Sequence, residues 1–371
     1  LNGVSWAPGT LFVRESGRSY SMRSLDPVFL DALTLSTEQG ATLRRIGEHK
    51  GRQTLFERQT AEVLDTLKQV ALVESSESSN RIEGIVAPHK RIERIVRKTA
   101  DPRNRSEQEI AGYRDVLNLI HERAQDIQIT TGVIRQFHQV LYRYLPSDGG
   151  SWKPTDNEIV EKDASGGVVG VRFTAVSAVE TPHAMEELAR RYDAAATHGR
   201  REPLVIIPLT VLDFLCIHPF TDGNGRIARL LTLLLLYHFD YNVGRYISLE
   251  RIFEDSGRTY YDALESSSQG WHDGNHDAAP WLGYFWGVLL RAYAEFEERV
   301  GVVGGGRGSK TQRVRAAVER RVGPFQISDV EVDCPGTSRE LIRKVLRALR
   351  DEGVIVSEGL GRGAKWRRAK K

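Results

Sequence analysis

The residues from His218 to Arg229, His-Pro-Phe-Thr-Asp-Gly-Asn-Gly-Arg-Ile-Ala-Arg, gather the side chains that phosphate chemistry uses. His218 is the group here whose ordinary pKa lies near neutrality, so it is the natural proton acceptor. Asp222 offers a hard oxygen of the kind Mg²⁺ takes when it also holds substrate phosphates. Arg226 and Arg229 stand three apart, so on a helix they share a face and can fork onto phosphate oxygens. Gly223 and Gly225 let the backbone turn and let a ligand come close. A base, a magnesium ligand and a phosphate cradle in one stretch imply nucleotidyl or phosphoryl transfer. Such chemistry needs positioning and charge stabilisation more than covalent help.

Those residues need elements to hold them. Leu209 to Ile217 is apolar with a helical period, and Pro219 ends that helix by pushing residue 218 out of the α region. A nearly unbroken apolar run follows from Ile227 to Phe239. The stretch Asp222 to Arg226 therefore lies at a helix N-terminus, where unpaired amides and the dipole favour an anion. Upstream, Leu43 and Ile46 have helical spacing, with Gly47 and Gly51 as interruptions. Phe56, Val63, Leu67, Val70 and Leu72 then mark one face of a longer helix. That helix runs into Ser79-Asn-Arg-Ile-Glu83-Gly84. Gly84 reads as its stop, which leaves Glu83 at the negative end of the dipole, in need of a cation from elsewhere. Ser106 to Glu109 reads as a capping box, opening a scaffold helix, and His138 belongs to the packing of the next one. Ile159-Val160 and Val168 to Val176 are β-branched, with a turn at 163–167. They predict a hairpin whose edge could pair with an extended peptide.

The chain has 371 residues, 40% hydrophobic and 27% charged, an ordinary globular mixture with room for two or three domains. The first twenty residues carry Pro, Gly and charges, unlike a signal peptide. The run from Ile227 is too short for a bilayer and holds Arg229, so it reads as a core helix. Cys216 and Cys334 fall far apart and read as packing residues in a reducing, cytoplasmic compartment. Residues 301–371 hold 17 Lys/Arg against 8 Asp/Glu, whereas the rest holds 35 against 41. A basic module thus follows a mildly acidic body. Gly301 to Ser309 reads as a linker. Beyond it come a helix from Thr311 to Val322, an apolar piece from Phe325 to Val330, and a helix opened by a capping box at Thr337 to Glu340. A strand pair around 354–356 and 364–366 follows, with a basic glycine tip between. The second helix buries Leu341, Ile342, Val345, Leu346 and Leu349 and exposes Arg339, Arg343, Lys344, Arg347 and Arg350. This order looks like a winged helix-turn-helix, a fold often used on DNA.

The stretch 218–229 resembles the Fic family signature His-Pro-Phe-x-(Asp/Glu)-Gly-Asn-Gly-Arg-x-x-Arg at every specified position. Ser79-x-x-x-Glu83-Gly84 resembles that family's inhibitory motif, (Ser/Thr)-x-x-x-Glu-(Gly/Asn). The resemblance covers roughly residues 50–300. It implies a mainly α fold: a Fic-type helical core with a small β-hairpin flap, followed here by the winged helix. The expected division is 1–100 (with the inhibitory helix), 101–300 (the catalytic core), 301–309 (linker) and 310–371.

The family implies protein adenylyltransfer, an AMPylation that uses ATP and Mg²⁺. His218 would deprotonate a Ser, Thr or Tyr hydroxyl of a target protein or of the chain itself. Asp222 would hold the metal, and Gly223, Asn224, Gly225, Arg226 and Arg229 the phosphates. Tyr260, Tyr261, Leu264 and Ser268 would wall the adenine pocket. Glu83, with Ser79 and Gly84, would draw Arg229 away from the γ-phosphate. A target protein would dock on the hairpin at about 157–178. The sequence departs from many relatives there: Thr174-Ala-Val-Ser177 replaces a proline-rich stretch, and Lys153 ends a motif that often ends in Arg. The partners expected are thus ATP, a target protein and, through 310–371, double-stranded DNA, with a second copy of the chain as another candidate and no membrane. The alternatives are AMP removal, with Glu83 orienting a water, and a DNA-binding transcriptional regulator whose Fic core senses nucleotide. The intact set from His218 to Arg229 argues against a core that only senses.

Overall fold

The computed structural model describes residues 20–57, 61–162, 168–197, 201–304, 309–319, 324–334, 337–358 and 365–368. The expected turn at 163–167 and the glycine tip of the tail hairpin lie outside these residues. By contact the chain divides into two units: 1–51 with 70–293, and 52–69 with 294–371.

The first helices are α1 (Pro27–Ala32), α2 (Thr37–Glu57), α3 (Ala61–Ile82), α4 (His89–Val96), α5 (Arg105–Arg123) and α6 (Thr131–Leu141); all but residues 52–57 of α2 and 61–69 of α3 belong to the first unit. An antiparallel pair follows, β1 (Glu158–Lys162) with β2 (Val168–Thr174), in which Ile159 faces Phe173. Then come α7 (Thr181–Thr197), α8 (Pro203–Ile217), α9 (Asn224–His238), α10 (Leu249–Asp255), α11 (Gly257–Ser268) and α12 (Ala279–Gly304), of which residues 294–304 belong to the second unit.

The centre is α8 and α9. Residues 206–217 of α8 are all buried, as are Arg226 to Tyr237 of α9, as expected for helices that are apolar all round. Pro203 starts α8 at a position that needs no amide, with the Glu202 side chain accepting from the Leu204 N–H. Pro208 lies inside the helix and cannot donate to the Leu204 carbonyl. The Trp286 indole N–H fills that vacancy at 2.8 Å, so the buried carbonyl keeps a partner.

Several boundaries differ from the sequence reading. Gly47 and Gly51 lie within α2, because cooperativity carries a helix across single glycines at modest cost. Asn104, not Ser106, caps α5: its side chain accepts from the Glu107 N–H at 3.0 Å. Asn caps as well as Ser, and the earlier start places Glu109 inside the helix, where it is buried. The expected linker is shorter at its start, since α12 continues through Gly304. Extending an existing helix needs no new nucleus.

The second unit closes its own core. It contains α13 (Ser309–Glu319), α14 (Ile327–Asp333), α15 (Arg339–Asp351) and the antiparallel pair β3 (Ile355–Glu358) and β4 (Lys365–Arg368). Val314, Val318, Phe325, Val330, Ile342 and Leu346 meet inside it. Phe325 bridges to Trp366 with reciprocal backbone hydrogen bonds of 2.8 and 2.7 Å. The apolar piece expected over Phe325 to Val330 is the bridging Phe325 followed by the start of α14. Ser338 rather than Thr337 caps α15, accepting from the Leu341 N–H at 3.3 Å.

Candidate active site

His218 is the residue that ends α8. Its backbone is left-handed, φ 50° and ψ 60°, not the extended conformation that the following proline alone would favour. A non-glycine residue pays roughly 1–2 kcal/mol there. The turn aims the imidazole into the site. Its Nδ1 lies 3.3 Å from the Leu215 carbonyl. A carbonyl only accepts, so Nδ1 carries the proton and Nε2 keeps its lone pair. Burial, helped by the nearby Lys153 ammonium, lowers the imidazole pKa from 6.5 to about 3. At neutral pH the ring is therefore an uncharged base.

Gly223 takes φ 81° and starts α9. The Asp222 carboxylate accepts from the Gly223 N–H at 2.6 Å and from the Tyr142 hydroxyl at 2.9 Å. Burial pushes this carboxyl up, but Arg226, Tyr142 and the amide outweigh it and hold it below its ordinary value. It stays ionised and its side chain is 45% exposed. A single, accessible carboxylate at a helix N-terminus fits Mg²⁺ that is otherwise held by water and phosphate. Among the described residues no cluster of three or more such ligands exists, which a metal-only cage would need.

The two arginines leave α9 toward different neighbours. Arg226 donates to Glu109 at 2.6 Å and to the Tyr142 hydroxyl at 3.3 Å. Arg229 donates to Glu83 at 2.7 Å, and to the hydroxyl and carbonyl of Ser79 at 2.8 and 2.9 Å. Both are almost wholly buried. The cation that Glu83 lacks on its own helix is thus Arg229. Gly84, with φ 78°, turns the chain off α3 directly after it. Asn224 faces inward: its side chain accepts from the Phe220 N–H at 2.9 Å and donates to the Phe220 carbonyl at 2.8 Å.

One pocket is lined by Glu83, His218, Gly225, Arg229, Tyr260, Tyr261, Leu215 and Leu264. The base, the ion pair and three of the expected adenine-wall residues thus meet. Ser268 is not among the lining residues: it is buried, and its hydroxyl donates to the Glu265 carbonyl at 3.0 Å. Arg226 also lies off the lining, turned toward Glu109.

Sequence reasoning missed several residues. Glu109 was hidden in a surface-like helix start, and Tyr142 follows a break in period. His138 is structural, as expected. It accepts from the Gly150 N–H at 2.8 Å, donates to the Asp222 carbonyl at 3.0 Å and stacks on Phe220 at 3.8 Å. Lys153, flagged only as a substitution for Arg, is a buried amine behind His218, with its pKa pulled by burial from 10.5 to about 7.

On α15, Arg343, Lys344 and Arg347 are exposed and make no ion pair among the described residues. Arg339 is paired with Glu331 at 3.4 Å.

Residues 128–236 match the Fic/DOC family. The chain thus carries a Fic/DOC domain match over those residues. The fold of the chain is similar to that of a Fic family protein from Desulfovibrio desulfuricans, with TM-score 0.58 and 20% identity over 91% of this chain and 98% of that one. A Fic domain containing signaling protein from Bacteroides thetaiotaomicron gives TM-score 0.59 and 22% identity over 70% and 97%. Fic-1 from C. elegans gives 0.54 and 18% over 71% and 72%. No curated protein matches the chain. Fic proteins generally transfer nucleotide-derived groups to proteins. No helix among the described residues is long and apolar enough to cross a membrane.

Proposed function

We propose that this protein is an autoinhibited adenylyltransferase that moves AMP from ATP to a Ser, Thr or Tyr hydroxyl of a target protein, its own chain included. The observation that carries the reading is one pocket holding both the His218 imidazole and an Arg229 tied to Glu83. In the reaction His218 Nε2 takes the hydroxyl proton. The hydroxyl oxygen forms a bond to the α-phosphorus, and the bond from that phosphorus to the bridging oxygen breaks, releasing pyrophosphate. The amides at the start of α9 face the developing charge. Asp222 would hold Mg²⁺, which would neutralise phosphate charge when bound. Arg229 would join the phosphates once it leaves Glu83. The target segment would lie along the hairpin of β1 and β2. ATP as donor and two free, buried cysteines suit a reducing, cytoplasmic compartment.

The test is transfer of label from ATP. Glu83→Gly should raise self-labelling by tenfold or more (~1.4 kcal/mol per decade), and His218→Ala should abolish it. Equal labelling by wild type and Glu83→Gly would remove the inhibition, and labelling that survives His218→Ala would remove the base.

A second partner is suggested by Arg343, Lys344 and Arg347 on α15, which are exposed and make no ion pair among the described residues, while the opposite face of the helix is buried in its own core. The order of α13, Phe325, α14, α15, β3 and β4 is similar to a winged helix, and we read 310–371 as a module for double-stranded DNA. Replacing the three by Ala should weaken duplex binding and reduce the slope of log affinity against log salt by about 3. An unchanged slope would remove DNA as the partner of this face.

A further inference from the structure

Four successive carbonyls of the turn that carries His218 are held by one short segment, residues 153–157. The Lys153 ammonium donates to the Ile217 carbonyl at 3.1 Å, and the Lys153 backbone N–H donates to the Pro219 carbonyl at 2.9 Å. The Asn157 amide donates to the carbonyls of His218 and Phe220 at 3.5 and 3.2 Å. A bond of 2.7 Å from Lys153 Nζ to Asn157 Oδ1 joins the two side chains. Both are buried, at 3% and 8% exposure.

This grip answers two local needs. Ile217 is the last residue of α8, so its carbonyl lacks a helical partner, and a cation there also opposes the negative end of the dipole. His218 in a left-handed conformation stays put only if its surroundings hold it. The same segment is the root of the hairpin, since β1 begins at Glu158, the residue after Asn157. The other leg is tied as well. Asp156 accepts from the Ala178 N–H at 2.6 Å, and the Val176 N–H reaches the Cys216 carbonyl at 3.4 Å.

We propose that Lys153 and Asn157 are positioning residues that orient the His218 imidazole and couple it to whatever pairs along the β1–β2 hairpin. The proposal rests on the transfer reading above and deepens it. A segment docked on the hairpin loads the same hydrogen bonds that fix the base, so target engagement and base alignment become one event. Lys153 is not among the residues that line the pocket, and its effect is on the rate of transfer rather than on nucleotide affinity.

The experiment uses the full chain carrying Glu83→Gly. Lys153→Met keeps the stem and removes the donor, and should slow self-labelling at saturating ATP by about 100-fold, the size expected of a base displaced by an ångström. ATP affinity by calorimetry should stay within about threefold, well under the ~1.4 kcal/mol that a tenfold change represents. Lys153→Arg should restore most of the rate. Asn157→Leu should behave like Lys153→Met and guards against a single variant that fails to fold. Unchanged labelling, or equal loss of labelling and ATP affinity, overturns the proposal. The His218 ring resonances, read by NMR, supply a measure independent of turnover: they should move in Lys153→Met, and unmoved resonances overturn it too. If the Glu83→Gly parent itself transfers no label, the transfer reading fails, while the ring resonances still decide the role of Lys153.

Discussion

Glu83 and Gly225 share one space. A Cβ on Gly225 would overlap the Glu83 carboxylate and crowd the Arg229 guanidinium. The glycine at the start of α9 thus leaves room for an anion at the helix N-terminus, and in this state the anion is a side chain. Gly225→Ala alone should destabilise the chain by about 1–3 kcal/mol, the usual cost of overpacking. In a Glu83→Gly background the same change should cost less than about 0.5 kcal/mol, because the atom it meets is gone. Urea melts of the four proteins measure the coupling, and additive effects would mean that the carboxylate does not fill that space.

The last two turns of α3, which lead to Glu83, are held by polar groups, whereas Leu64, Leu67, Ala71, Leu72 and Val73 earlier in the helix bury apolar surface. Ser75, Ser76, Ser78, Ser79 and Asn80 of α3 are all buried. Ser75 donates to Glu250 at 2.7 Å, and so does the Tyr113 hydroxyl at 2.9 Å, while Ser79 accepts from Arg229. Hydrogen bonds exchange with water at a net cost of about 1 kcal/mol each. An apolar face of the same size would lose far more on exposure. The end of a helix packed this way can leave Arg229 more readily than one packed with leucines. Ser79→Ala should therefore raise self-labelling about fivefold, the equivalent of about 1 kcal/mol, and less than Glu83→Gly. Ser76, whose hydroxyl has no hydrogen-bond partner among the described residues, is the control: Ser76→Ala should leave labelling unchanged. Labelling that responds equally to both would tie release to helix stability rather than to the Arg229 contact.

At the scale of the whole molecule, buried imidazoles set the response to acid. Burial lowers His138, His218 and His276 from 6.5 to about 4, 3 and 4. Between pH 6.5 and those values the unfolded chain binds protons that the folded one refuses. Stability is therefore full above 6.5 and falls as pH drops toward 4, by roughly 2 kcal/mol per histidine at pH 5. Asp213, raised by burial from 3.8 to about 7, acts in the opposite sense between those values. Three groups outweigh one, so the melting temperature should be lower at pH 5 than at pH 7.5. Calorimetry at the two values checks this, and an equal or higher melting temperature at pH 5 would contradict the buried, neutral state of the rings.

The order of elements along the chain is legible in the sequence. Periodicity marks α8 and α9, proline and glycine mark the turn between them, and the types and spacing of His218, Asp222, Arg226 and Arg229 carry the expectation of phosphate chemistry. Local effects suffice for this, because turn sterics, helix ends and side-chain type act within a few residues. Which charge meets which was decided by packing. Glu109 takes Arg226, Ser268 turns away from the pocket, Asn224 closes its own turn, and Lys153 reaches behind the base across 64 residues to the Ile217 carbonyl. A buried charge or carbonyl must find a partner, and the partner is whichever group the fold brings near. Nothing in the local sequence around either member specifies that choice.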